Sequence, residues 1–197
     1  MPTAYYKSEN KDFTLLKGDC IELLNSFDFK FDMIFADPPY HLSNGGISVH
    51  CGKMVSVNKG DWDKSNGYEE DYLFDKSWIA ACRNKLKSNG TIWISGTYHN
   101  IFSAARCLTE LGFKILNCIT WEKTNPSPNL SCKYFTHSAE YILWARKEQK
   151  VPHYFNYELM KKINGGTQMR DVWRLPAIAP WEKSCGKHPT QKPLCVL

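Results

Sequence analysis

The chain has 197 residues, 43% of them hydrophobic and 23% charged, with a net charge of +5; this is the profile of one globular domain large enough to build a core. No apolar run approaches a membrane span, and the amino-terminal MPTAYYKSENKDF lacks the apolar centre of a signal peptide. The mild basic excess permits a polyanionic partner without proving one.

In chain order, Phe13 to Lys17 reads as a short strand. Gly18-Asp19 then turns into a helix over Cys20 to Phe27, with Ile21, Leu23 and Leu24 apolar. Asp19 suits the N-cap of that helix, and a strand-end acid also suits a ligand hydrogen bond. Phe31 to Asp37 is a mostly apolar run, read as a strand buried on both faces. Pro38 and Pro39 cannot continue a ladder, so the strand stops at Asp37. The residue before each proline is pushed to extended geometry, which presets a stiff turn. Ligands of open parallel sheets bind outside the carboxyl ends of the strands, so Asp37 and Tyr40 stand where chemistry is expected. His41 to Gly67 follows as a Gly-, Ser- and Asn-rich stretch without a clear period, and a loop of that length is usually functional or mobile. Its Lys53, Lys59 and Lys64 suit phosphate contacts; the plain alternative is a solvated loop with scattered charge.

Tyr68 to Lys87 has the apolar stripe of a helix, through Leu73, Trp78, Ala81, Cys82 and Leu86, with Asn89-Gly90 as its stop. Thr91 to Ser95 is a buried strand, His99 to Leu111 a second helix, and Phe113 to Trp121 and Glu140 to Ala145 two further strands. Such alternation predicts a doubly wound, largely parallel α/β sheet whose late strands can include an antiparallel pair. Between the last two strands, Glu122 to Ser138 mixes Lys123, Lys133 and His137 with Asn125, Asn129, Tyr134 and Phe135. Asn can read adenine and lysine can reach phosphate or guanine, so this stretch is the first candidate for a nucleic-acid contact; a proline-stiffened surface loop is the alternative. A short helix is expected over Tyr157 to Ile163. Gly165-Gly166 lies outside any strand-to-helix context and is no nucleotide fingerprint. The eight cysteines (20, 51, 82, 107, 118, 132, 185 and 195) form no CxxC pair. They are expected as reduced, buried thiols of a cytoplasmic protein, binding no metal.

Asp37-Pro38-Pro39-Tyr40 resembles the catalytic motif of amino-methyltransferases that modify DNA with S-adenosylmethionine. Gly18-Asp19, Asn89-Gly90-Thr91-Ile92-Trp93-Ile94, Thr136-His137-Ser138-Ala139-Glu140 and His188-Pro189-Thr190-Gln191-Lys192-Pro193 are similar to companion motifs. Their order resembles the beta class, and the leading acid resembles the adenine-N6 branch. The resemblance implies an α/β, Rossmann-like methyltransferase fold with a mostly parallel sheet, residues 1–197 forming one domain with DNA-contact loops about 41–67 and 122–138. It implies catalytic Asp37, Pro38, Pro39 and Tyr40, with Tyr40 stacking on a target base flipped out of double-stranded DNA. It places Asp19, Cys20, Asp37, His188, Pro189, Thr190, Gln191 and Lys192 beside S-adenosyl-L-methionine, with Asp171-Val172-Trp173 framing the approach. It gives DNA contacts to Lys53, Lys59, Lys123, Asn125, Asn129, Lys133, Tyr134 and His137. The runs SNGGISVHCGKMVSVNKGDWDK, NPSPNLSC and YFTHS resemble enzymes acting on GATC-like sites in restriction–modification systems.

Family members continue past HPTQKP with a DPF-x-G-x-GT segment that is absent here. The expectation is therefore a fold incomplete by roughly 60–80 residues at its C-terminus, completed by a C-terminal segment or a second polypeptide. Three other readings stand beside the leading one. They are a non-catalytic DNA- or partner-binding remnant, a cytosine-N4 enzyme, and a methyltransferase for protein or RNA amino groups. Hydrolase signatures are absent.

Overall fold

The computed structural model describes residues 3–43, 45–50, 53–56, 58–184, 186, 188 and 190–197, with backbone alone at 47–50 and 53–55. The strands are β1 (Tyr6–Lys7), β2 (Thr14–Leu15), β3 (Phe31–Ala36), β4 (Ile47–His50), β5 (Lys53–Ser56), β6 (Leu86–Gly96), β7 (Lys114–Lys123), β8 (Ala139–Arg146) and β9 (Val172–Leu175). The helices are α1 (Cys20–Ser26), α2 (Tyr68–Lys85), α3 (Ile101–Glu110) and α4 (Tyr157–Ile163). No helix among the described residues is long and apolar enough to cross a membrane.

The main sheet runs in the order β3-β6-β8-β7-β9. β3 and β6 are parallel, β8 is antiparallel to both β6 and β7, and β9 is parallel to β7. The sheet is thus mixed rather than mostly parallel. The cause is the connection after β7: residues 124–138 hold no crossover helix, so the chain returns at the end it left and β8 runs back. Among the described residues β1 and β2 pair only with each other, so the strand expected over 13–17 shrinks to half of a small ribbon. β4 and β5 form a second ribbon inside the stretch read as a loop.

The Asn89-Gly90 helix stop is also corrected. α2 ends at Lys85, and Asn89 and Gly90 lie within β6. A Cβ on Gly90 would come within 3.2 Å of the Asp32 carbonyl and 3.0 Å of Leu86. The glycine therefore serves a close strand approach. Helices α1 to α3 pack against one face of the sheet, around Trp78, Ile79, Leu86, Ile92, Ile94, Ile101 and Leu108. Each such side chain contributes about 1.5–3 kcal/mol on burial. The other face holds Ile119, Trp121, Ile142 and a stacked pair, Trp93 and Trp144, with centroids 4.8 Å apart. The described cysteines are free, but only Cys82 and Cys107 are buried. Cys20, Cys118, Cys132 and Cys195 are exposed, contrary to expectation, and Cys51 and Cys185 lie outside the described residues. Cys118 sits in β7 at a position facing solvent, which the apolar run around it concealed.

Candidate active site

β3 and its parallel neighbour β6 end side by side, with Ala36 paired to Ile94. The next residues of β6 and the turn after β3 therefore meet. Ser95 Oγ donates to Asp37 Oδ1 at 2.6 Å and also lies 3.2 Å from the Ala36 carbonyl. The Tyr40 hydroxyl donates to the same Oδ1 at 2.8 Å, and Lys192 Nζ stands 3.1 Å from it. Among the described residues, all three contacts fall on Oδ1 and Oδ2 receives none. The carboxylate is thereby fixed in plane with one oxygen still available. Tyr40 is only 6% exposed. Burial first, then the negative charges of Asp37 and Glu140, push its hydroxyl far above the ordinary tyrosine range, so it stays a donor.

Lys192 closes the site from the far end of the chain. Its ammonium lies between two carboxylates, 3.1 Å from Asp37 and 3.8 Å from Glu140, and 4.6 Å from the centre of the Tyr40 ring. Glu140, at the start of β8, is also paired to Lys123 at 2.5 Å. Its Oε2 is buried without a hydrogen bond among the described residues. A cavity of about 240 Å³ is lined by Asp37, Pro38, Tyr40, Trp62, Asp63, His188, Thr190 and Lys192. The cavity thus offers groups of both signs, the Asp37 carboxylate and the Lys192 ammonium. A sulfonium-bearing cofactor that also carries a carboxylate fits that set; Asp37 would face its positive charge and Lys192 its carboxylate.

The turn itself is pinned from behind. Asn100 is 1% exposed and donates through Nδ2 to the Pro39 carbonyl, while its Oδ1 accepts from the Thr97 N–H. Asp63, also 1% exposed, accepts from the N–H groups of Tyr40, His41 and Leu42 and from Ser43 Oγ. Ser95, Asn100, Trp62 and Asp63 were not singled out as site residues in the sequence, and Glu140 entered only as the last residue of a companion motif. Ser95, Asn100 and Asp63 are polar residues at a strand end or in loops with no motif spacing to betray them. The one available signal was Trp62-Asp63 in a polar stretch directly after the catalytic turn.

Of the residues expected beside the cofactor, Asp37, His188, Thr190 and Lys192 line the cavity. Gln191 donates to the Glu182 carbonyl instead, and Pro189 lies outside the described residues. Asp19 and Cys20 are exposed, and Asp19 caps α1 by accepting from the N–H groups of Ile21 and Glu22 at 2.9 and 3.0 Å. The Thr190 hydroxyl lies 3.3 Å from His188 Nδ1. Asp171 and Val172 line a different and larger cavity, about 750 Å³, with Asn117 and Arg170.

The expected DNA contacts divide. Lys123 is spent on Glu140, with a side chain only 24% exposed. Asn125 accepts from the Ala177 N–H. Asn129 donates to the Tyr134 carbonyl and accepts from Ser131, so its amide knits the loop together. The Lys59 N–H donates to Ser43 Oγ, Lys64 pairs with Asp61, and the Lys53 side chain is not described. Lys133, Tyr134 and His137 are exposed. His137 stacks on Tyr98 at 5.0 Å, and Tyr134 and His99 flank the pair. His99, read as the start of a helix, belongs with Tyr98 to the turn before α3. Desolvation, then the charge of His137, lowers the His99 pKa below its ordinary value.

A family model described as DNA methylase matches residues 31–197. The chain is 58% identical to the type II methyltransferase M2.MboI of Moraxella bovis, across 98% of this chain and 71% of that protein. It is 56% identical to M2.LlaDCHI of Lactococcus lactis subsp. cremoris, across 100% and 73%, and 55% identical to M2.DpnII of Streptococcus pneumoniae, across 97% and 72%. Among solved structures, the M1.HpyAVI–SAM complex aligns with a TM-score of 0.58 at 24% identity, covering 91% of this chain and 70% of that one. The cytosine-N4-specific PvuII DNA methyltransferase aligns at 0.64 and 17%, covering 91% and 65%. These last two likenesses concern the fold.

Proposed function

The chain belongs to the DNA methylase family whose model spans residues 31–197, and on that premise we propose that it methylates the N6 amino group of adenine in double-stranded DNA. The cofactor is S-adenosyl-L-methionine, which supplies an activated methyl group on a sulfonium sulfur. Relatives more than half identical over nearly the whole chain are named type II methyltransferases. They support a modifying enzyme of a restriction–modification system and give no support to a non-catalytic remnant. The sequence runs quoted above favour a GATC-like target. With DNA as substrate, the proposed place of action is the cytoplasm.

The observation that carries the chemistry is the one-sided bonding of Asp37. An aromatic amino nitrogen is a poor nucleophile because its lone pair is delocalised into the ring. Asp37 Oδ2 and the Pro38 carbonyl can accept its two hydrogens, draw it toward tetrahedral geometry and free the lone pair. Ser95, Tyr40 and Lys192 engage Oδ1. They hold the acceptor still, so that little reorganisation is needed as positive charge develops on the nitrogen. A base inside a duplex cannot reach this turn and must be flipped out. One face of the Tyr40 ring carries the Lys192 ammonium, so a stacked base takes the other face. Trp62, half exposed at the same cavity, stands ready as an outer wall.

The test is direct. Purified enzyme, labelled cofactor and duplexes with a single GATC, or with its adenine replaced, are incubated and digested to nucleosides. N6-methyladenine from the GATC duplex alone is expected. N4-methylcytosine, or labelled protein with unlabelled DNA, overturns the proposal.

A further inference from the structure

We propose that Asp63 is the positioning residue of the methyl-transfer reaction, whose buried carboxylate shapes the turn that presents Asp37, Pro38 and Tyr40. This rests on the functional reading above and adds to it a residue from outside the catalytic motif.

A carboxylate that is 1% exposed is tolerated only with a full set of donors. Asp63 has them. Oδ1 accepts from the N–H groups of Tyr40 and His41, both at 2.9 Å. Oδ2 accepts from the Leu42 N–H and from Ser43 Oγ, both at 3.0 Å. Three successive backbone N–H groups converge on one anion only if the chain curls. It does so at His41, whose φ of 58° lies in the left-handed region that a residue with a Cβ seldom occupies. The His41 ring also reaches the Lys64 carbonyl at 3.4 Å and Asp71 at 3.8 Å through Nδ1, but it is the Asp63 carboxylate that takes up the three backbone N–H groups of the curl. The backbone adds a further tie, from the Ser43 N–H to the Asp63 carbonyl at 3.3 Å.

The consequence reaches the reacting groups through Tyr40. Its N–H is held by Asp63 and its hydroxyl by Asp37. One anion behind the turn thus fixes the residue that orients the other anion in front. If Asp63 is lost, the His41 and Tyr40 N–H groups lose their acceptor and Tyr40 the anchor on its main chain. Oδ1 of Asp37 then loses one of its fixed donors. Asp63 also follows Trp62 in the same short 3-10 turn, Asp61–Asp63, and both line the cavity. The bonds that set the catalytic turn therefore also place the indole at the cavity mouth.

The experiment compares Asp63→Ala, Asp63→Asn and Asp37→Ala in the full chain. Folded fraction is measured first, and then single-turnover methyl transfer under saturating DNA and cofactor, well below each melting point. Asp63→Ala should lower the single-turnover rate by about 10²-fold, the scale of a misplaced reacting group. Cofactor Kd should stay within about threefold, separating a lost transition-state geometry from lost ground-state binding. Asp63→Asn keeps one acceptor oxygen for Tyr40 and His41 and should recover at least about tenfold of that rate while remaining below wild type. A folded Asp63→Ala with a rate within twofold of wild type overturns the proposal, as does Asp63→Asn no better than Ala. If the Ala variant does not fold, Asp63→Asn decides alone, and a wild-type rate overturns the proposal. An active Asp37→Ala overturns the functional reading itself; an inactive Asp37→Ala beside a normal Asp63→Ala overturns only this one.

Discussion

Two loops leave the carboxyl ends of β3 and β7, strands that run the same way with β6 and β8 between them, and they are built in opposite ways. The stretch after β3 is drawn inward. Asp63 and Asn100 tie its first residues down from behind, and both are 1% exposed. The stretch after β7 is tied mainly to itself. Asn129 bonds to Tyr134 and Ser131 within the loop, while Phe135 is 96% exposed and Tyr134 61%. Both are rich in Asn and Ser. The difference is a buried anion facing one of them, and it separates a segment that must hold atoms still from one that can adapt to a surface.

Substitutions in the first loop should cost rate and those in the second should cost affinity. The largest effect is expected at Asp37→Ala, where losing the charge-stabilising acceptor should raise the barrier by at least about 2–4 kcal/mol. Single-turnover kinetics check it, and a near-normal rate would sink the mechanism. Tyr40→Phe comes next. The hydroxyl bond to Asp37 makes this variant costlier than a ring that only stacks would be. A loss of about 1.5–3 kcal/mol is expected for a hydrogen bond to a charged group, read as kcat at unchanged DNA affinity; equal kcat would return Tyr40 to a stacking role alone.

In the second loop, Tyr134→Ala should weaken DNA binding by about 1–3 kcal/mol if the exposed ring stacks on a base, with the single-turnover rate at saturation preserved. Lys133→Ala should lessen the log–log salt slope by about 0.9 if it meets a phosphate, measured by fluorescence anisotropy across a salt series. A rate defect in either variant would erase the contrast between the loops.

The smallest effect concerns His99, beside the Tyr98–His137 stack. Its folded pKa is lowered from 6.5, so the unfolded chain takes up its proton first on acidification. The stabilisation is fully present above pH 6.5 and is lost as pH falls through the lower folded value. NMR titration of the His99 ring should place its midpoint below 6.5, and replacing His137 should raise that midpoint by removing a like charge.

Much of this was legible in the sequence because it depends on neighbours in the chain. The apolar run into Asp37-Pro38-Pro39-Tyr40 gave the strand and its stop, and the helix over 157–163 matched α4 to the residue. His188, Thr190 and Lys192 were identified through their motif, and all three reach the cavity. What escaped depends on partners distant in sequence. Asn89-Gly90 looks like a helix stop until the Asp32 carbonyl is found against the glycine. Lys123 looks like a phosphate contact until Glu140 of β8 is seen beside it. Asp63 is one of several acids in a polar loop. Its role exists only because the chain folds its carboxylate beneath residues twenty or more positions earlier.

The stacked indoles of Trp93 and Trp144, 4.8 Å apart with 17° between their planes, bear on how such variants can be watched. Rings this close act as coupled chromophores, and they sit opposite one another on β6 and β8. Their joint circular-dichroism signal should vanish only when those central strands part. Trp62 and Trp181 are 51% and 81% exposed, so their emission should shift instead with changes at the surface. The protein therefore carries its own two-colour reporter. One signal counts folded molecules, and the other, from the indole beside Asp63, follows the mouth of the site while the sheet stays intact.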